Sequence, residues 1–124
     1  MFKPVRIGKP WGFELIWAHT EKYVGKILHI DAGQKLSLQF HNIKDETIHL
    51  LSGRMNFEIE ENGVMVVRTL RPGDSYHIPP KSKHRMEAEE TCDVLEASTP
   101  HLDDVVRLQD AYGRVEAEIK NGRK

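Results

Sequence analysis

Three side chains that can bind a metal ion stand close together in the first half of the sequence. Gln39 and His41 are separated by one residue in a segment that alternates like a β-strand, so their side chains point to the same face. Glu46 follows a short polar break, where a turn would bring it back on the next strand. His84, at the end of a later turn-rich stretch, is the best candidate for a fourth ligand. The spacing therefore predicts one metal site built from two distant parts of the chain.

The mixture of donor atoms limits the kind of metal. Two imidazoles, a carboxylate and an amide oxygen combine borderline and hard ligands. Zinc suits this set, and manganese, iron(II), cobalt and nickel suit it as well. We expect one divalent metal ion per chain, with water or a substrate oxygen in the remaining positions. A catalytic role and a binding role are both compatible with such a site.

Both stretches have the spacing of known motifs. The residues that carry the two motifs are Gly33, Gln39, His41, Glu46 and Gly53, followed by Gly73, Pro79 and His84. The first five resemble the first motif of the cupin superfamily, and the last three resemble the second. Gln39 stands where that family usually has its first histidine, a substitution similar to the cupin domain of type II mannose-6-phosphate isomerases. The flanking segments 9–14 and 103–114 are similar to the same domain.

Two positions depart from the second cupin motif. Lys81 stands where glycine is usual, and Ala88 stands where asparagine is frequent. Without glycine, the turn at Lys81 is predicted to avoid a positive φ. Neither departure removes a ligand, and a cupin barrel that has lost its metal is the alternative.

The resemblance implies a fold, an activity and an assembly. The fold is all-β, a double-stranded β-helix or jelly roll. The activity is a metal-dependent isomerisation of a sugar phosphate through an enediol, and zinc is the favoured metal. Small cupins commonly pair through their N-terminal arms, so a homodimer is expected. The alternatives are a non-catalytic cupin that binds a small sugar or carboxylate, or another metal-dependent cupin enzyme.

The remaining sequence predicts an all-β barrel on its own. Strand-like segments separated by glycine and proline recur about every 8 to 12 residues, and Asn62-Gly63 is a strong hairpin turn. The predicted strands are 11–17, 23–30, 36–41, 47–52, 55–60, 64–70, 75–78, 83–88 and 92–97. We expect one domain, with an arm or edge strand at 1–10, a barrel at 11–114 and a tail at 115–124, of which 115–120 could be helical.

Composition excludes several classes of partner. The chain has 124 residues and a formal net charge of -1, so nothing indicates binding to nucleic acid. No apolar run approaches the roughly 20 residues of a membrane span, and no apolar segment of a secretory signal follows residues 1–6. The single cysteine, Cys92, cannot form an internal disulfide and is predicted to be a small core residue. These features favour a cytoplasmic protein.

A carboxylate near the second motif is the candidate catalytic base. If segments 83–88 and 92–97 form a hairpin that turns at Glu90, then His84 and Glu96 are directly opposite and share a face. Glu96 would then lie beside the metal and could act as a base. A one-residue shift of the turn would instead point Glu96 outward.

Basic residues near the motifs are the candidates for contacting an anionic substrate. Lys35 and Lys44 flank the first motif, and Arg85 and Arg107 lie near the second motif and the terminal segment. Each would ordinarily be a solvated surface charge. Lys35 and Arg107 are the predicted substrate-binding residues.

Overall fold

Two antiparallel sheets face each other in the computed structural model of the protein, which describes residues 1–114. The strands are β1 (Val5–Lys9), β2 (Gly12–His19), β3 (Val24–Ile30), β4 (Leu38–Phe40), β5 (Glu46–Ser52), β6 (Met55–Glu61), β7 (Val64–Leu70), β8 (Ser75–Ile78), β9 (His84–Ala88), β10 (Cys92–Ser98) and β11 (Val106–Gln109). One sheet has the order β1-β2-β3-β10-β5-β8, and the other has the order β11-β4-β9-β6-β7. This is the double-stranded β-helix that the sequence predicts.

The hydrophobic core lies between the two sheets and follows the alternation of the strands. In β6, Met55, Phe57 and Ile59 are buried, whereas the residues between them are half-buried. Side chains of Ile48 and Leu50 on β5 meet them from the other sheet. Full burial of one such side chain contributes roughly 1.5–3 kcal/mol. Because this core fills one part of the sandwich, polar side chains collect in the other part.

Two glycine-containing turns are sterically required. Asn62 and Gly63 have φ values of 52° and 77°, which are the positive angles predicted for this hairpin. Gly53 has a φ of 90°, and a Cβ placed on it would lie 2.2 Å from the backbone oxygen of Thr91. The last glycine of the first motif therefore allows the chain after β5 to pass close to the start of β10.

The turn before β9 corrects one prediction. Lys81 has a φ of 70°, so the expectation that it avoids a positive angle is wrong. Its backbone N–H donates to the carbonyl oxygen of His41 at 2.6 Å. This hydrogen bond ties the turn to the end of β4 and offsets the cost of the left-handed conformation.

At the N-terminus the structure has the edge strand that was one of the two expected forms, whereas toward the C-terminus it differs from the sequence prediction. Residues 5–9 are an edge strand paired with β2, so the N-terminal arm has a partner within its own barrel. Strand β11 was not predicted, and it pairs with β4. Residues 1–114 contain no helix, and therefore none that could span a membrane. The helix predicted at 115–120 lies outside the described residues.

Candidate metal centre

Three metal-binding side chains come together between the two sheets. His41 follows β4, Glu46 begins β5 and His84 begins β9. Nε2 of His41 lies 2.7 Å from Oε2 of Glu46, and Nε2 of His84 lies 3.8 Å from the same oxygen. All three side chains are buried. The cluster could hold a metal ion, as the spacing of the two motifs predicts.

The hydrogen bond made by Nδ1 of each imidazole determines whether Nε2, which faces Glu46, carries a proton in the neutral ring. Nδ1 of His41 lies 2.5 Å from the carbonyl oxygen of Asp104, and Nδ1 of His84 lies 2.9 Å from that of Ser82. Because a carbonyl oxygen only accepts, both Nδ1 atoms donate, and in the neutral rings both Nε2 atoms carry lone pairs. These lone pairs converge on the Glu46 carboxylate, an arrangement that a cation satisfies.

The buried carboxylate of Glu46 also fits a metal. Among residues 1–114, no hydrogen bond of acceptable geometry satisfies its Oε2, although His41 Nε2 is close. A buried polar atom without a partner is costly. A cation bound to both histidines would neutralise this oxygen, so the residues present fit a divalent metal.

The ionisable groups of the cluster are shifted toward the forms that bind a metal. Burial opposes ionisation of Glu46, but a hydrogen bond from His41, which without a metal requires a proton on Nε2, and the positive charge of Lys44 lower the pKa of Glu46 to about 2. Burial lowers the pKa of His84, which favours the neutral imidazole. An ionised carboxylate and a neutral imidazole are the forms in which these residues act as ligands.

Gln39 faces the same cavity as the three clustered ligands. It lies opposite His84 in the pairing of β4 with β9, and its side chain lines the cavity. Its Nε2 donates to Oγ of Ser37 at 3.0 Å, which leaves the amide oxygen as the atom that could bind a cation. Coordination by Gln39 stays a prediction.

The cluster opens into a cavity of about 110 Å³ between the sheets. On the five-stranded sheet, Arg107, Gln39 and His84 lie side by side on three neighbouring strands. On the six-stranded sheet, Glu96 and Lys26 lie side by side on β10 and β3. Because both walls carry polar side chains, the cavity is suited to a polar ligand.

Glu96 lies in this cavity, but the predicted hairpin is wrong. Strands β9 and β10 belong to different sheets, and Glu96 is opposite Lys26 on β3 rather than opposite His84. Its inward orientation follows instead from the alternation along β10. The side chain is buried, and its Oε2 lies 3.0 Å from Nζ of Lys44.

Two of the four basic candidates reach the cavity. Lys44 and Arg107 line it, whereas Lys35 and Arg85 do not. Lys35 makes an isolated backbone bridge to β9, so its predicted role in substrate binding has no support from its position. Nε of Arg85 donates to the carbonyl oxygen of Leu36 at 2.8 Å, which is a structural contact.

Asp104 connects the C-terminal segment to the ligand-bearing loop. Its carboxylate accepts the backbone N–H groups of residues 42–44 at distances of 2.7 to 3.0 Å. Burial opposes ionisation of Asp104, but these hydrogen bonds lower its pKa to about 2. Because its carbonyl oxygen also accepts Nδ1 of His41, one residue fixes both a ligand and the loop that leads to Glu46.

A known family combines this fold with these motifs. The family model described as a cupin domain matches residues 26–98. The chain belongs to the cupin family. The matched range contains both motifs and the three clustered ligands, so the cupin resemblance drawn from the sequence is confirmed.

Two curated relatives match most of this cupin. It is 28% identical over 123 residues to the alginate biosynthesis protein AlgA of Pseudomonas putida, a match that covers 95% of this chain and 24% of AlgA. It is 33% identical over 113 residues to the mannose-1-phosphate guanylyltransferase ManC of Salmonella typhimurium, covering 86% of this chain and 22% of ManC. The chain thus spans about a quarter of the length of these relatives.

Solved structures support the fold. KdgF from Halomonas sp. superposes with a TM-score of 0.70 at 23% identity, covering 82% of this chain and 91% of KdgF. Oxalate decarboxylase from Bacillus subtilis superposes with a TM-score of 0.76 at 16% identity, covering 97% of this chain and 34% of the decarboxylase. At these identities the similarity shows the shared fold alone.

Three charged residues of the cavity were not predicted from the sequence. Nζ of Lys26 lies 3.2 Å from Oε2 of Glu14, and Nζ of Lys9 lies 3.7 Å from Oε1 of the same residue. The signal for Lys26 was present in the strand pattern, because it shares the buried face of β3 with Val24 and Leu28. A charged residue on the buried face of a strand is a candidate for lining a pocket.

Proposed function

We propose that this cupin is a metal-dependent isomerase that interconverts an aldose phosphate and a ketose phosphate. The observation that carries the proposal is that the buried carboxylate of Glu96 shares one small cavity with the His41, Glu46 and His84 cluster. Similarity to a guanylyltransferase named for mannose 1-phosphate supports a sugar phosphate as the ligand. Mannose 6-phosphate and fructose 6-phosphate are therefore the pair to test.

Four residues would hold the metal: His41, Glu46 and His84, with Gln39 through its amide oxygen. Zinc is our choice, because two imidazoles and a carboxylate are a donor set that it commonly takes in enzymes. A divalent cation bound there supplies a Lewis acid for the carbonyl and hydroxyl oxygens of the substrate. The rest of the chemistry belongs to the protein.

Glu96 is the proposed base. Its carboxylate would remove the proton from C2 of the aldose while the carbonyl oxygen at C1 gains a proton, which gives an enediol. Return of a proton to C1 and loss of the proton from the C2 hydroxyl then give the ketose. The reaction moves protons within one molecule, so no oxidant or reductant is needed.

Lys44 is placed to form an ion pair with Glu96. Its Nζ lies 3.0 Å from Oε2 of Glu96 and 4.0 Å from Oε2 of Glu46. Burial disfavours the charge on Lys44, but the two carboxylates outweigh it and raise its pKa. The ammonium therefore stays protonated and neutralises the carboxylate that is to act as base.

Metal analysis and an isomerase assay test the proposal together. We expect one zinc ion per chain, interconversion of the two hexose phosphates, loss of turnover after chelation, and recovery after zinc is added back. Manganese, iron(II), cobalt and nickel should be compared in the same reconstitution. A metal-loaded protein that leaves both hexose phosphates unchanged would contradict the isomerase assignment.

A non-catalytic sugar-binding cupin is the second candidate, and the Lys44–Glu96 ion pair favours it. A carboxylate that is already engaged at 3.0 Å could be a fixed wall of a binding site rather than a base. That function predicts saturable binding of the sugar phosphate to the metal-loaded protein without turnover. Binding and turnover measured on one sample separate the two candidates.

A further inference from the structure

We propose that the cavity contains, beside the metal cluster, a subsite for a doubly charged phosphate group, held by Arg107 and Lys26. This inference rests on the proposed function for its natural ligand, a sugar phosphate. The subsite itself is inferred from the charges, the burial and the strand positions of the cavity residues.

The cavity carries more positive than negative charge. Five lining residues are basic and three are acidic: Lys9, Lys26, Lys44, Arg107 and Arg114 against Glu14, Glu46 and Glu96. Two of the basic residues are neutralised locally. Lys44 pairs with Glu96 at 3.0 Å, and Arg114 pairs with Asp110, which lies outside the cavity lining, at 2.7 Å.

The remaining basic residues have too few partners. Lys9 and Lys26 share the single carboxylate of Glu14, at 3.7 and 3.2 Å. Arg107 forms no ion pair within residues 1–114, and its Nε is fully buried without a hydrogen-bond partner there. With the carboxylate of Glu46 assigned to the metal cluster, two positive charges are left without a counter-charge, and a dianion would match them.

The buried Nε of Arg107, which has no hydrogen-bond partner among residues 1–114, is the stronger half of this argument. Burying a donor without an acceptor is costly, and the cost is larger when the group is charged. A guanidinium offers a planar set of donors that binds phosphate oxygens in a bidentate manner. A phosphate group in the cavity would satisfy Nε and neutralise the charge at once.

The strand order places each cation two strands from a strand that carries a clustered ligand. Arg107 on β11 is two strands from His84 on β9, and Lys26 on β3 is two strands from Glu46 on β5. Neighbouring strands lie about 4.8 Å apart, so Arg107 is roughly 10 Å across its sheet from His84. Lys26 is equally far across its sheet from Ile48, which lies two residues from Glu46 on β5. A ligand could thus place oxygen atoms at the metal and an anionic group between Arg107 and Lys26.

Inorganic phosphate binding to the metal-free protein is the test. Chelated protein is titrated with phosphate, at a pH where the dianion predominates, and followed by amide and arginine Nε–H resonances. We expect saturable binding that shifts the Nε–H resonance of Arg107, with acetate at equal ionic strength binding more weakly. Arg107→Gln and Lys26→Gln should each raise the Kd by about tenfold or more, because each removes a charge-assisted contact.

Lys35→Gln is the matched control, because Lys35 is a basic residue beside the first motif but lies outside the cavity. Its Kd for phosphate should stay within about twofold of the parent value. Lys26→Gln could fail to fold, because Glu14 would lose a partner. In that case Arg107→Gln alone tests the subsite, because no residue among 1–114 depends on Arg107 for an ion pair. Absence of saturable phosphate binding, equal binding of acetate, or equal losses in the Lys35 control would each overturn the subsite.

The outcome is independent of the isomerase assay. Phosphate binding that depends on Arg107 in a protein without isomerase activity would overturn the proposed reaction and leave the subsite standing. Isomerase activity in a protein that does not bind phosphate through Arg107 would overturn the subsite and leave the proposed reaction standing.

Discussion

At the scale of single residues, His41 and His84 make the same kind of contacts. Each donates Nδ1 to a backbone carbonyl, so each neutral ring presents a lone pair on Nε2 toward Glu46. The carbonyl partners therefore orient the rings before any cation binds, which lowers the cost of assembling the site. This arrangement explains how a metal site could form inside a barrel next to its hydrophobic core, whose residues Leu28 and Met86 also line the cavity.

Removal of either histidine should abolish metal binding while the barrel stays folded. His41→Ala and His84→Ala each delete a ligand while the apolar side chains of the core remain, although His84→Ala also removes a ring whose centroid lies 6.3 Å from that of Phe57. We expect the metal affinity to fall by more than the roughly 10–100-fold typical of losing an outer-shell partner. Metal content and circular dichroism of the purified variants measure the two properties. Unchanged metal content in both variants would show that the ligand assignment is wrong.

Glu96→Gln separates charge from shape at the proposed base. The amide occupies the same volume but cannot accept a proton from substrate carbon, so kcat should fall by about two to four orders of magnitude. KM should change much less, because the amide keeps the shape of the side chain and an oxygen atom can stay near Nζ of Lys44. Turnover close to that of the parent protein would exclude Glu96 as the base.

At the scale of elements, the sequence predicts which face a residue occupies better than it predicts the strand beside it. Glu96 was expected to point inward, and it does, because strand alternation is local. The prediction that His84 is its cross-strand neighbour was wrong, because β9 and β10 lie in opposite sheets. Which strands pair is decided by packing of the whole sandwich, and the sequence around one turn does not contain that information.

The same limit applies to the cavity. The three clustered ligands were predicted because their spacing lies within two short motifs. Lys26 and Asp104 were not predicted as site residues, because their roles depend on contacts to distant segments. Strand β11, which carries Arg107, was not predicted, because its short sequence has no flanking turn signal strong enough to define it.

Asp104 should act as a positioning residue for the loop before β5. Asp104→Ala removes the acceptor for the N–H groups of residues 42–44, so the loop should loosen and the metal affinity should fall about tenfold. Asp103→Ala, at the exposed neighbouring position, is the control and should change little. Equal metal affinity in the two variants would contradict this role.

The pH dependence of stability offers a second measurement of the Asp104 contacts. The pKa of this carboxyl is about 2 in the folded protein and 3.8 in its ordinary state. The folded state therefore favours the ionised form, and the stabilisation is present above about pH 4. The difference in free energy of unfolding between the parent protein and Asp104→Ala should shrink as the pH falls from 4 toward 2. A difference that does not depend on pH in this range would exclude the charge as its source.

The turn at Lys81 gives a prediction about backbone conformation. Lys81→Gly should relieve a left-handed conformation that costs an L-residue about 1–2 kcal/mol, against roughly 0.5–1 kcal/mol of extra chain entropy. Lys83→Gly, at an exposed position without a positive φ, has only the entropic cost. Chemical denaturation should therefore find Lys81→Gly more stable than Lys83→Gly by about 1–2 kcal/mol. Equal stability of the two variants would contradict the strain.

At the scale of the whole molecule, the six-stranded sheet extends past the five-stranded sheet at its β1 edge. The register pairs Val5 with Ile16 and Ile7 with Glu14, and Ile16 and Glu14 are buried on the inner face. Val5 and Ile7 therefore point to the same side, but they are 48% and 37% exposed. An edge strand with unpaired backbone groups and exposed apolar side chains is a surface suited to a second copy of the chain.

We expect a homodimer that depends on this edge. Deletion of residues 1–8 should shift the mass in solution toward the monomer, because it removes both the edge strand and its apolar side chains. The double variant Val5→Ser/Ile7→Ser tests the side chains alone and should weaken the dimer, since each serine removes apolar area from the interface. Val64→Ser/Val67→Ser, on β7 at an edge of the other sheet, is the control, because those valines are also exposed. Sedimentation at micromolar concentration measures the mass of all four proteins. A monomeric parent protein would exclude the β1 edge as the interface, and so would a dimer that dissociates only in the β7 variant.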